Sequence, residues 1–325
     1  MSVYNPVGGI VWAAPDAVSN FNWINTISAG LTALGLPING AVSGQISLGG
    51  GSVAIPGTIT NGTLYPMGYE VRQMISSGLP TLQLRIDYKL ISLGTTAAAL
   101  YPVVVVTVGT TVNTSTGVVG GAATTAGAST PGNTIYSGNA NTASRPLFMS
   151  SDGANYLTFT VDPARSTASP TTTCACIVLD RSVTAATGAY NANGYQLISL
   201  SNSVVTGVAD GAGCWNVNLT SALCTYVANY GVTFPGSMFT GSGTGTAATV
   251  APVSVMLPAA QGPMFAAIGY YRNDVADGTT FPVMIYGSNH TYLACAVTYQ
   301  SFSQAPTTAG TTTGFGAQRL AMRYE

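Results

Sequence analysis

The stretch 81–93, TLQLRIDYKLISL, alternates apolar and polar side chains with a period of two. Such alternation predicts a β-strand that turns one face to a core and the other face outward. The apolar positions are Leu82, Leu84, Ile86, Tyr88 and Leu90, and the polar positions between them are Gln83, Arg85, Asp87 and Lys89. The sequence therefore indicates a β fold here and places three charges together on one face.

Further strand signals follow along the chain. The run 101–112, YPVVVVTVGTTV, is continuous and β-branched, which predicts a more fully buried strand. Shorter runs such as YLTFTVD, TCACIVLD, GYQLISLS and TYLACAVTY are separated by Gly, Asn, Ser and Thr clusters. Many short strands between turn signals predict a mainly β domain over 63–325, a β-sandwich or jelly roll with long Gly/Thr/Ser loops.

Residues 1–62 read as a short arm followed by one helix. Pro15 and Asp16 suit the helix start, and Gly35 with Pro37 suits its end. The tryptophans that flank or join its apolar face have two readings: they belong to the core, or they dock the chain onto a neighbour. At three and four residue steps the apolar face carries Phe21, Ile24, Ile27, Leu31 and Leu34. We take as candidate assembly contacts Trp12, Phe21, Trp23, Ile24 and Ile27, together with Arg85, Asp87 and Lys89.

Charge is sparse. Nine Lys and Arg stand against ten Asp and Glu in 325 residues, the formal charge is −1, and Lys89 is the only lysine. Binding to nucleic acid needs clustered cations that displace counterions from phosphates, so we expect no nucleic-acid partner. A surface nearly bare of charge favours association, which predicts a chain that works inside an assembly.

Membrane insertion and export are not expected. The most apolar run, AAALYPVVVVTV, is shorter than the roughly 18 to 20 residues of a spanning helix and contains a proline. The first residues lack the positive region of a signal peptide, so we expect synthesis in the cytoplasm without one.

Motifs for catalysis and metal binding are weak. Five cysteines without C-x-x-C spacing and one histidine, His290, do not suit a zinc site, and we expect no cofactor. The segment YRNDVADGTT offers Asp274 and Asp277 as calcium ligands, although Asp-Gly also favours a tight turn. A polysaccharide depolymerase would need paired carboxylates, for which the candidates are Asp152, Asp162 and Asp180. We expect a protein that is not an enzyme.

Several segments taken in order resemble a family. W-x-A-P at Trp12–Pro15, a K-I-E-Y-like strand at Arg85–Tyr88, V-T-V-G-T at Val106–Thr110 and the terminal LAMRYE are similar to segments of tailed-bacteriophage virion structural proteins. The chain departs from that pattern at Arg72, near which an aromatic residue is expected, and at Tyr324, where a tryptophan is expected. The resemblance implies a virion component and carries no catalytic residue.

Three functions follow as hypotheses. The first is a structural virion protein made in the bacterial host, on the capsid as decoration or fibre or on the tail as fibre or tip, with copies of itself, most simply a trimer, and other virion proteins as partners. The second is a host-binding adhesin whose Tyr-rich loops contact surface glycan. The third is the depolymerase.

Overall fold

The computed structural model describes a large part of the chain in several segments. The described residues are 1–7, 9–11, 17–46, 57–92, 94–96, 100–121, 132–134, 144–161, 175–184, 187, 189–201, 213–219, 223–226, 250–252, 267–271, 278–285, 288–299 and 318–325.

These residues form one helix and twenty strands. The helix α1 spans Ala17–Ala33. The strands are β1 (Ser2–Tyr4), β2 (Ile10–Val11), β3 (Leu64–Met74), β4 (Leu82–Ser92), β5 (Leu100–Gly109), β6 (Thr111–Val112), β7 (Val119–Gly120), β8 (Gly132–Thr134), β9 (Ser144–Arg145), β10 (Leu147–Ser151), β11 (Tyr156–Val161), β12 (Ala175–Val183), β13 (Tyr190–Ser201), β14 (Gly213–Asn218), β15 (Leu223–Tyr226), β16 (Val250–Pro252), β17 (Ile268–Tyr271), β18 (Thr280–Ile285), β19 (Ser288–Tyr299) and β20 (Gln318–Arg323).

The largest sheet has seven antiparallel strands in the order β1-β10-β11-β12-β13-β14-β15. From β10 onward each strand pairs with the next one in sequence, which is the order of a meander. The amino-terminal strand β1 closes one end by pairing with β10, from Ser2 opposite Ser151 to Tyr4 opposite Met149. Among the described residues, β1 is therefore an edge strand of this sheet.

A second sheet has the order β3-β4-β5-β8. The stretch that predicted the fold is β4, and its alternating burial confirms the amphipathic strand, with Leu84, Ile86 and Tyr88 buried and the charges between them partly exposed. Strand β5 is buried at most of its described positions, as its continuous apolar run predicted.

Helix α1 ends where the sequence predicted. Gly35 has φ +77°, a backbone conformation that glycine adopts without strain. Its amide donates to the Thr32 carbonyl at 3.0 Å, and the Leu36 amide donates to the Leu31 carbonyl at 3.0 Å. This pair of bonds is the Schellman motif, and it turns the chain away from the helix axis.

One hydrophobic core joins the helix to both sheets. It contains buried residues of α1, of the inner face of β3, β4 and β5, and of one face of β10 to β13. Representative members are Ile27, Leu84, Val106, Phe159 and Leu179. Residues 1–62 and 63–325, which the sequence suggested as separate units, thus contribute to the same core.

The third large sheet has the order β16-β17-β20-β19-β18 and its own small apolar cluster, which includes Phe281, Tyr292 and Ala321. It contacts the seven-stranded sheet on the face opposite the main core. Thr158 of β11, for example, donates to the Arg323 carbonyl of β20 at 2.7 Å. All six residues of β11 are buried because both faces of that strand are covered.

The mainly β class predicted from the sequence is confirmed. The finer choice between a sandwich and a jelly roll stays a prediction.

Candidate assembly site

A buried ion pair fastens helix α1 to β3. Glu70 and Arg72 lie two residues apart on the strand and project from the same face. Arg72 Nη2 donates to Glu70 Oε2 at 2.8 Å and to the Ser28 hydroxyl at 2.6 Å, while Nη1 donates to the Thr32 hydroxyl at 2.8 Å and to the Leu36 carbonyl at 2.9 Å. One guanidinium therefore holds the helix, its carboxyl end and the strand together.

Tyr88 extends this network into the core. Its hydroxyl donates to Glu70 Oε1 at 2.5 Å, and its ring meets Trp23 edge to face with centroids 5.5 Å apart. Burial, followed by the neighbouring Glu70 carboxylate, raises the pKa of Tyr88 well above its ordinary value. The phenol stays protonated and acts as a hydrogen-bond donor.

Three of the predicted assembly contacts lie in this core. Trp23, Ile24 and Ile27 are buried against residues of the same chain. They are therefore not on a surface that a partner could reach while the core is closed. Trp12 and the side chain of Phe21 lie outside what the structure describes.

The charges of β4 act within the chain as well. Arg85 Nη2 donates to Asp87 Oδ1 at 2.9 Å, and its guanidinium lies 3.9 Å from the centroid of the Tyr69 ring. Arg85 Nη1 also donates to the Thr116 carbonyl at 3.0 Å. The pair thus ties the loop after β6 onto the outer face of the four-stranded sheet, whereas Lys89 on the same face is partly buried.

The close approach of that loop depends on Gly117. Its φ is +64°, and a Cβ at this position would lie 2.3 Å from the Tyr69 ring. Tyr69 in turn donates from its hydroxyl to the Ser43 carbonyl at 2.7 Å. The sequence placed Arg85 and Asp87 on this face, and the structure shows that Arg85 pairs with Asp87 and contacts a loop of its own chain.

A second charged cluster forms where the chain returns to its first sheet. Arg323 Nε donates to Glu325 Oε1 at 2.7 Å, and Nη1 donates to the Tyr190 hydroxyl at 3.2 Å. His290 Nδ1 lies 2.8 Å from Glu325 Oε1, and the Thr291 amide donates to Glu325 Oε2 at 3.0 Å. Burial acts to raise the pKa of Glu325, but contacts with His290, Thr291 and Arg323 outweigh it and hold the pKa below its ordinary value.

The main chain of Glu325 is seated on the seven-stranded sheet. The Ser150 hydroxyl donates to the Glu325 backbone oxygen at 2.8 Å, and the Tyr156 hydroxyl donates to the same oxygen at 3.0 Å. The Arg323 guanidinium lies 4.8 Å from the centroid of the Tyr156 ring. Burial, as the largest influence, raises the pKa of Tyr156 to about 12. Residues more than 160 positions apart thus join two sheets.

Two carboxylates considered for catalysis have structural partners. Asp152 Oδ1 accepts the amides of Ala154 at 3.0 Å and Asn155 at 2.6 Å, which closes the turn before β11. Asp180 is fully buried, and its Oδ2 accepts the Ala267 amide at 2.7 Å. Asp162, Asp274 and Asp277 lie outside the described residues.

Arg181 is a further buried cation. Its Nε donates to the Ala154 carbonyl at 3.0 Å, and its Nη2 donates to the Pro80 carbonyl at 2.6 Å. Burial lowers the pKa of this guanidinium. Arg181 links the turn before β11 to the loop that precedes β4.

These clusters share one property, which is that none of their charged side chains is fully exposed. Ten charged side chains are described, of which five are buried and five are partly exposed. The buried ones are Glu70, Arg72, Asp180, Arg181 and Arg323, and the partly exposed ones are Arg85, Asp87, Lys89, Asp152 and Glu325. In most proteins Lys, Glu, Arg and Asp are the residues that most consistently face water. The described surface therefore carries little charge.

The described segments contain neither a metal-binding cluster nor a membrane-spanning helix. No group of three or more His, Cys, Asp or Glu residues there is arranged to hold a metal ion. Cys176 and Cys295 are buried. Among the same residues, no helix has the length and apolar character that crossing a membrane requires.

A patch of apolar and aromatic side chains lies at the β1 end of the seven-stranded sheet. We call it the β1 rim and define it as Met1, Val3, Phe148 and Tyr324. Val3 and Met1 are among the exposed large hydrophobic residues, and the Phe148 and Tyr324 rings meet edge to face at 5.5 Å. Sequence reasoning missed this patch because its members are far apart in the chain.

Sequence reasoning also missed the Glu70–Arg72 and Arg323–Glu325 pairs. The available signal was the same in both cases, opposite charges two residues apart in an extended segment.

Comparison of the chain with protein-family models, with curated proteins and with solved structures found no match.

Proposed function

We propose that this chain is a non-enzymatic structural component of a tailed-bacteriophage virion, exposed on the capsid or the tail and held there by contacts between subunits. The observation that carries the proposal is the low charge of the described surface: of the ten described charged side chains, five are buried and five are only partly exposed. A surface with so little charge gives little protection against association, so it suits a protein that is covered by neighbours.

The order of sequence motifs supports the virion setting. The W-x-A-P segment, the strand around Arg85 and the terminal LAMRYE occur in the order found in the virion proteins that the chain resembles. The described parts of these motifs serve folding: β4 lies in the core, and LAMRYE carries Arg323 and Glu325, which join two sheets. Under this proposal the partners are copies of the chain and other virion proteins.

Helix α1 packs into the core of its own chain, whereas the sequence suggested its apolar face as a contact for neighbours. Because Trp23, Ile24 and Ile27 are core residues, removing residues 1–35 would open the core. Loss of incorporation after that deletion would then report unfolding, and attachment has to be tested by surface substitutions instead.

The described residues do not favour the adhesin. Tyr190 accepts a hydrogen bond from Arg323, and Tyr195 is buried with its hydroxyl on the Val108 carbonyl at 2.9 Å. Both tyrosines lie in β13, within the segment 187–195 that the sequence suggested as a Tyr-rich loop, and their hydroxyl groups bind residues of the same chain. A receptor platform would instead need rings that are free to stack on sugar.

Binding of purified, fluorescently labelled chain to two targets separates the alternatives. Saturable binding to phage particles depleted of the chain, without binding to host cells, is the expected result. Binding to host cells but not to particles would contradict the structural role and favour the adhesin.

A further inference from the structure

The edge strands of two sheets differ in whether other residues of the chain cover them. Strand β3 lies at an edge of the four-stranded sheet, but residues 37–46 cover it. The Asn39 amide donates to the Val71 carbonyl at 2.8 Å, the Ile46 amide donates to the Tyr69 carbonyl at 2.8 Å, and the Gln73 amide donates to the Pro37 carbonyl at 3.0 Å. From Tyr69 to Gln73 this edge is satisfied within the chain and offers no place for an added strand.

The β1 edge of the seven-stranded sheet is open among the described residues. Strand β1 pairs with β10 along one side only, over Ser2 to Tyr4. Its far side presents backbone donors and acceptors, which is the arrangement that accepts a strand from another molecule. Pro6 limits the length of any such pairing because proline has no amide to donate.

The side chains of β1 divide between the two faces of the sheet. Tyr4 points into the protein, where its ring lies so close to Gly30 that a Cβ there would be 2.6 Å from the ring. Val3 points to the opposite face and is 50% exposed. By register, Val3 lies opposite Ser150, so Phe148 lies on the same face two residues away. The exposed apolar groups of the β1 rim thus adjoin the open edge.

The charge around this edge suits a second copy of the same strand. No charged residue occurs before Asp16 in the sequence. The cation nearest to Met1 in the described contacts is Arg323, whose Nη2 lies 3.6 Å from Met1 Sδ and which is already paired with Glu325. Natural sheets often keep their edges apart with lysine or other charges. In an antiparallel pair centred on Val3, the two Met1 amino groups lie at opposite ends, so two copies of this edge bring no like charges close together. A charged partner gains no pairing from it.

We propose that the β1 edge and the β1 rim form an isologous contact between two copies of this chain, with Val3 of one copy beside Val3 of the other. A two-fold axis is the operation that sets a strand antiparallel to itself, and it joins the two seven-stranded sheets into one. The aromatic pair Phe148–Tyr324 lies beside the strand as apolar contact area. The inference rests on the proposed assembly role and adds the surface that mediates it.

A charge-swap experiment tests the contact. Full-length Val3→Lys and Val3→Glu proteins are examined by sedimentation velocity, separately and as an equal mixture. Like charges at the two-fold axis should weaken self-association roughly tenfold in each single variant, and the mixture should restore it. Val118→Lys is the matched control, because Val118 is 57% exposed on the hairpin between β6 and β7, in another part of the fold.

Three results overturn the inference: a wild-type chain that stays monomeric, a mixture that associates no better than either variant, or a Val118→Lys protein as weakened as the Val3 variants. Circular dichroism confirms that each variant is folded, which is expected because Val3 is half-exposed. Binding of wild-type chain to depleted particles reports separately on the virion role. If the mixture of variants associates but the wild-type chain does not bind particles, the result supports this contact and contradicts the virion role. If the chain binds particles but the mixture does not associate, the result contradicts only the contact.

Discussion

Arg72 Nη2 lies 2.8 Å from Glu70 Oε2, and both side chains are 1% exposed. The two charges lie on one strand, yet the guanidinium also binds Ser28 in the carboxyl half of α1 and Leu36 just beyond the end of that helix. Strand β3 therefore carries a complete polar clamp for the helix.

Removing one partner of this clamp should be costly. Arg72→Met leaves the Glu70 carboxylate buried without its cation, and we expect a loss of about 3–5 kcal/mol in the free energy of unfolding. Urea denaturation followed by tryptophan fluorescence measures the change.

The double variant Glu70→Leu with Arg72→Met is the control. Because it removes both charges, it should be clearly more stable than Arg72→Met alone. Equal stability of the two variants would show that the buried carboxylate is not the source of the loss.

The ion pair on β4 should contribute much less. Arg85 and Asp87 are 20% and 17% exposed, so water screens their attraction. Arg85→Ala should cost about 1 kcal/mol, including its contact with the Tyr69 ring, and should speed hydrogen exchange in the loop 113–118. A loss as large as that of Arg72→Met would contradict this ranking of the two pairs.

Gly30→Ala should destabilise the protein, although a change from glycine to alanine inside a helix is usually stabilising. Replacing an interior helix glycine with alanine usually stabilises a protein by about 0.5–1 kcal/mol. Here the new methyl group would meet the Tyr4 ring at 2.6 Å and Met149 Sδ at 2.8 Å. We expect Gly30→Ala to destabilise the fold by about 1–3 kcal/mol through overpacking.

Thermal unfolding tests whether the clash with the Tyr4 ring is the cause. The effect of Gly30→Ala is measured in the wild type and in the Tyr4→Ala background. Removing the ring frees the space, so the glycine substitution should cost less in the Tyr4→Ala background than in the wild type. An equal cost in both backgrounds would mean that α1 and β1 do not meet as described.

Acid should weaken the cluster around Glu325. The folded state holds the pKa of this carboxyl below its ordinary value of 4.5, chiefly through contacts with His290, Thr291 and Arg323 that outweigh the effect of burial. A depressed pKa contributes stability above the unfolded pKa, and that stability is lost as pH falls through the folded pKa. The relevant window therefore lies below about pH 4.5.

Glu325→Gln isolates this contribution. The variant should melt below the wild type at pH 7, and the difference in Tm should narrow as pH falls from 4.5 toward 3. A difference that stays constant over this range would show that the Glu325 charge is not what stabilises the contact between the sheets.

Local pattern predicted the elements well. The period of two in 81–93 yielded β4, and the spacing of Ile24, Ile27 and Leu31 yielded the buried face of α1. Gly35 and Pro37 predicted the helix end, because a left-handed residue and a ring without an amide both stop a helix.

Long-range placement could not be predicted. An apolar helix face indicates that something covers it but not whether the cover belongs to the same chain, so the sequence left Trp23 with two readings, a core residue or a contact for a partner. The hydrogen bonds from Ser150 and Tyr156 to Glu325 depend on how strands more than 160 residues apart are placed, and no local pattern encodes that placement. The same holds for the β1 rim.

The central claim, that this chain is a structural part of a virion, is tested most directly by counting it in particles. Phage particles purified by density gradient from a lysed host culture that carries the gene are digested, and isotope-labelled peptides of this chain and of the major capsid protein are used to quantify both. The account predicts a constant ratio that gives a fixed number of copies per particle. Absence of the chain from purified particles, with all of it recovered in the cleared lysate, would contradict the account.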